Sequence, residues 1–63
     1  PQARDIDTAD QIILAAHAAD WAPISHEGHL HDRASYRLFW QLLERAHSTG
    51  AVLPDEVRLF FRD

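Results

Sequence analysis

The stretch DRASYRLFWQLLERAHSTG, residues 32–50, decides the fold. Its apolar side chains recur with the 3.6-residue period of an α-helix. Leu38, Leu42, Ala46, Phe39, Leu43, Tyr36 and Trp40 occupy an arc of about 200°, wider than the stripe of a little over 100° usual for a surface helix. Arg37, Gln41, Glu44, Arg45 and Ser48 fill the remainder. Asp32 suits the N-cap, where a short carboxylate accepts from the free amides of the first turn. Gly50 suits the left-handed position just past the last turn. The pattern predicts a helix over 33–48, and an arc that wide needs cover from two directions, so this helix is expected at the centre.

Upstream, Thr8 and Gln11 have the spacing of a capping box, with Ile6 placed to staple onto Ile12. Asp7 and Asp10 lie where negative charge favours a helix N-terminus. Ala9, Ile12, Ile13, Ala16 and Ala19 fall on one face. Pro23 ends the run, because the residue before a proline is pushed out of the helical region. The expected helix covers about 8–21. Downstream, Pro54 suits a first helical position, Asp55 and Glu56 the first turn, and Arg58 and Arg62 the last. Val57, Phe60 and Phe61 would pack inward, giving a third helix at about 54–62. The segment 23–31 has no helical period and contains Gly28, so it reads as a histidine-rich loop. The expected fold is therefore all-α, a single three-helix domain over 1–63, with dimerisation a further expectation.

Composition narrows the function classes. Sixty-three residues bury only about 60% of their unfolded surface, and small domains of this kind lean on disulfides, metals or partners. Cysteine is absent, which removes disulfides and thiolate ligands and fits a reducing compartment such as the cytoplasm. The longest aliphatic run is Ile12-Ile13-Leu14-Ala15-Ala16, far short of the roughly 20 apolar residues of a membrane span. The first ten residues carry three aspartates and no apolar block, so a secretion signal is not expected. Residues 1–32 hold six acids against Arg4, whereas residues 33–63 are almost balanced, and the whole chain has a net charge of −4. An acidic chain is a poor candidate for nucleic acid, which attracts cationic surfaces. A basic protein partner fits better.

Two groups of residues carry candidate sites. His26, His29 and His31, with Glu27 and Asp32 nearby, are ligand types suited to zinc or nickel. Their spacing is not that of a helical zinc site, and the plainer expectation is a solvated loop whose Asp32 caps the next helix. On helix 1, Asp10, Leu14, His17 and Trp21 fall close together away from the Ile12/Ile13/Ala16 face. A leucine and a tryptophan seven apart resemble the anchors of a helix-in-groove contact. With Asp20 they form the expected partner-binding set. No hydroxyl, imidazole and carboxylate are spaced to suggest a nucleophile, so neither enzymatic activity nor a cofactor is expected.

Nineteen large apolar residues exceed what three short helices can hide, which points to contact as the work of the chain. The expectation is an acidic interaction module, a regulator or inhibitor of a basic partner such as a nucleic-acid-binding complex. It is comparable with anti-CRISPR inhibitors in size and charge alone. The rival classes are a metal-responsive or helix-turn-helix-like DNA-binding regulator, and a dimerisation or docking domain of a larger protein.

Overall fold

The computed structural model describes residues 2–61. Helix α1 spans Ala3–Ala18, strands β1 and β2 span Ile24–His26 and His29–His31, helix α2 spans Arg33–Ser48, and helix α3 spans Asp55–Arg58. A 3₁₀ turn, Leu59–Phe61, follows α3 directly.

Helix α2 occupies the span its periodicity implies. Asp32 Oδ1 accepts from the amides of Ala34 at 3.1 Å and Ser35 at 3.4 Å. At the other end, Gly50 N–H donates to His47 O and Ala51 N–H to Ala46 O, with Gly50 at φ 88°. These paired bonds are a Schellman closure, which satisfies the last carbonyls of the helix.

The all-α expectation is corrected by the segment 23–31, which is a β-hairpin rather than a loop. Ile24 pairs with His31, Ser25 with Leu30 and His26 with His29 in an antiparallel register. Glu27 and Gly28 connect the strands, both with positive φ (50° and 81°). Two positive φ values in a two-residue connection are the pattern of a type I′ turn, whose twist matches that of the strands it joins. Strands of three residues are too short for an alternation signal, and Glu-Gly is a weaker turn signature than Asn-Gly. A lone hairpin is marginal in water. This one is held from outside: the Tyr36 hydroxyl lies 2.6 Å from Ala22 O and 3.3 Å from His31 O, two residues before β1 and at the last residue of β2.

The limits of the other helices are corrected as well. Helix α1 starts at Ala3, five residues before Thr8, and the Thr8 hydroxyl donates back to Arg4 O at 3.0 Å instead of capping. Ile6, packed on the core, holds that extra turn in place. The helix stops at Ala18, and the residues up to Trp21 form its closure. Asp20 N–H donates to His17 O and Trp21 N–H to Ala16 O, a second Schellman pattern with aspartate where α2 has glycine. The third helix shrinks to one α turn followed by a 3₁₀ turn, with Pro54 as its N-cap. Arg62, at the end of the expected helix, lies outside the described residues.

Ala9, Ile12, Ile13 and Ala16 of α1 meet Tyr36, Leu43 and Ala46 of α2, with Leu53 and Val57 closing the core. The small alanines let the two long helices approach closely. Aromatic rings cover the second side of α2. Phe61 stacks between Trp40 at 4.8 Å and His47 at 5.1 Å, and Phe60 meets Trp40 and His17 edge-on. Leu38, within the predicted apolar arc, stays 67% exposed. Among the described residues no helix is long and apolar enough to cross a membrane.

Candidate functional site

The Asp20-Trp21 turn is the most strained piece of backbone described. Both residues have positive φ, 55° and 66°. Aspartate tolerates the left-handed region, but for a residue as bulky as tryptophan it is a true outlier. Such strain persists only where the surroundings over-determine it. Here the Schellman bonds hold the backbone, and the indole of Trp21 meets Tyr36 edge-on at 6.0 Å and His17 at 5.8 Å.

That turn forms one wall of an open groove of about 670 Å³. Its lining is Ile13, Trp21, Tyr36 and Trp40, with Asp20, Arg33 and Arg37 as the charged members. A smaller hollow of about 370 Å³ shares Asp20, Trp21 and Arg33 and runs on toward Pro23 and Asp32. Arg33 and Arg37 stand one helical turn apart on α2, a like-charged spacing that costs a few tenths of a kcal/mol in an isolated helix. Among the described residues neither makes an ion pair; the recorded pair is Arg58 with Asp55 on the surface, at 2.6 Å. Asp32, the nearest acid in sequence, gives a carboxylate oxygen to the α2 amides. The groove thus joins aromatic surface to two guanidinium forks, a combination suited to a carboxylate or phosphate on an apolar body. Its charge is opposite in sign to that of the chain as a whole.

Of the four residues expected on one outer face of α1, His17 and Trp21 stay in ring contact, and Asp20, the fifth member of the expected set, sits beside Trp21. Trp21 and Asp20 line the groove. Leu14 is half-buried against the core. His17 is exposed, with its ring between Trp21 and Phe60. Asp10 is buried, 5% exposed, and its Oδ1 has no hydrogen-bond partner among the described residues. Burial pushes the Asp10 carboxyl above the ordinary carboxylate value, and the neighbouring charge of Asp7 adds to the rise. Helical spacing does not carry to Asp20 and Trp21, because α1 ends at Ala18 and they leave the wheel. Arg33, Arg37, Tyr36 and Trp40 belong to the groove and were absent from the expected set. The sequence signal for the arginines was their i,i+4 spacing on the polar side of α2.

The three hairpin histidines do share one face, since His26 pairs with His29 and His31 lies diagonally across. His26 Nε2 donates to Gln11 Oε1 at 3.0 Å, and the His31 ring meets Phe39 edge-on at 5.5 Å. His31 Nδ1 is buried with no partner among the described residues. Among those residues no three imidazole or carboxylate groups converge as a metal ion would need. The face is engaged in packing the hairpin onto α1 and α2.

No family model matches the chain, and no curated protein matches it. Among solved structures, a citrate lyase from Burkholderia xenovorans LB400 aligns with 98% of the chain at 44% identity and a TM-score of 0.88. The chain spans 19% of that protein's length.

Proposed function

We propose that this chain is a helical docking unit of a citrate-lyase-like protein, acting through contact with a larger catalytic body. One observation carries the reading: near-complete coverage of this chain, at 44% identity, by a protein of which it spans only 19%. Identity at that level over the whole hairpin and all helices supports a shared structural role as well as a shared fold. The apolar surface of the chain fits the same role, since Leu30, Leu38, Val52 and Leu59 are all at least 60% exposed. Contact surfaces of that kind are expected where a small unit sits against a larger one.

In this reading the chain carries no lyase chemistry of its own. Its contribution is to complete or orient the body it rests on. A replacement experiment tests it. The matching fifth of the Burkholderia enzyme is deleted in one variant and replaced by this chain in another, and citrate lyase activity and assembly state are measured. Deletion should abolish activity or assembly, and replacement should restore both. Full activity after deletion, or a correctly assembled chimera without activity, overturns the reading.

A further inference from the structure

The docking reading leaves open which surface meets the body and what that surface recognises. We propose that the groove between the end of α1 and the start of α2 receives an acidic polypeptide segment, its carboxylates on Arg33 and Arg37 and an apolar side chain against Trp21, Tyr36 and Trp40. The inference rests on the docking reading and adds the chemistry of the partner.

Three independent features converge on this place. The first is charge: two guanidinium groups one turn apart, without an ion pair among the described residues, beside Asp20 and, in the adjoining hollow, Asp32, whose Oδ1 accepts from the α2 amides. Arginine forks bind carboxylates bidentately, and a pair at i,i+4 spacing presents two such forks along one edge. The second is the wall. Tryptophan, tyrosine and arginine are the side chains most enriched at interface hot spots, and here they share one hollow. The third is strain, since a tryptophan is held in the left-handed region at the spot where the indole forms that wall. The groove is open along its length, which suits a chain segment better than an enclosed small molecule. About four-fifths of the neighbour lies outside the match, so a body able to supply such a segment is at hand. The net charge of −4 suggests a basic partner, but the groove overrides it locally. Screening confines each charge to its own neighbourhood of about 8–10 Å in physiological salt.

An array of overlapping peptides covering the remaining four-fifths of the Burkholderia protein, probed with the 63-residue chain, tests this. Binding should concentrate on peptides with two or more Asp or Glu within four positions of a large apolar residue. The best peptide is then titrated in solution by the emission of Trp21 and Trp40. The double variant Arg33→Gln/Arg37→Gln should weaken it by roughly tenfold or more. Arg45→Gln, on a separate hollow with Gln41, Glu44 and Ser48, should leave it unchanged. Far-UV circular dichroism checks that both variants keep their helices. No bound peptide, a preference for neutral or basic peptides, or equal losses from the Arg45 and Arg33/Arg37 variants would each overturn the proposal. A working chimera alongside any of those results retires the acidic segment and leaves the docking reading standing.

Discussion

The phenol of Tyr36 donates to the backbone carbonyl of Ala22 at 2.6 Å, tying the central helix to the chain just before the hairpin. The same hydroxyl sits 3.3 Å from His31 O, and its single proton goes to the nearer acceptor. Two ends of a nine-residue excursion are thereby gathered on one buried side chain of α2. Tyr36→Phe keeps the ring against Trp21 and removes the donor, leaving the Ala22 carbonyl without this bond. The expected cost is about 1–1.5 kcal/mol, read as a fall in melting temperature of roughly 4–12 °C for a domain this size. An unchanged melting temperature would show that water replaces the bond freely.

Helices α1 and α2 end in the same hydrogen-bonded closure with different residues at the left-handed position. Asp20→Gly should stabilise by up to about 1 kcal/mol, because glycine meets no steric cost at φ 55°. Gly50→Ala should destabilise by about 1 kcal/mol. A Cβ at Gly50 meets nothing within 4 Å, so that loss reports backbone conformation rather than a clash. Opposite signs in paired denaturant melts are the expected result; the same sign for both would contradict the shared closure.

Burial of Asp10 predicts a pH dependence of definite sign. Its folded-state carboxyl titrates above the ordinary value of 3.8, mainly through desolvation and secondarily through Asp7. Between 3.8 and that raised value the folded state therefore binds more protons than the unfolded state, and stability from this group falls as pH rises. Asp10→Asn removes the titration. The stability advantage of the variant should be smallest below pH 3.8 and grow to a plateau once pH exceeds the folded-state value. Urea melts of both proteins from pH 3.5 to 7.5 check this, and a difference that is flat with pH would refute it.

Two leucines five residues apart on α2 should behave in opposite ways. Leu43 is fully buried in the core that α2 shares with α1, and Leu43→Ala is expected to cost about 2–5 kcal/mol, enough to unfold much of a small domain. Leu38 is 67% exposed, and Leu38→Gln should change the stability of the isolated chain by less than about 0.5 kcal/mol. Thermal melts followed by circular dichroism separate the two.

Helix α2 was legible because its information is local. Apolar period, Asp32 before the first turn and Gly50 after the last all act within four residues of the backbone groups they satisfy. The apolar face of α1 was legible for the same reason, as was the inward direction of Val57 and Phe61. The hairpin was not, because three-residue strands carry almost no periodic signal and are stabilised by Tyr36, Gln11 and Phe39 from other elements. The start of α1 depended on Ile6 reaching the core, which overrode the capping pattern at Thr8.

The groove was the least legible feature of all. Its walls come from a strained turn after α1 and from one side of α2, and neither stretch announces the other. The sequence alone determined a central amphipathic helix with small-residue packing against a neighbour, since helical period is set by bonds between residues four apart. Only the tertiary structure decided that Trp21 leaves the α1 face and that Arg33 and Arg37 stand beside it. That arrangement depends on where one helix stops and how closely the next approaches, and both are set by packing across the fold.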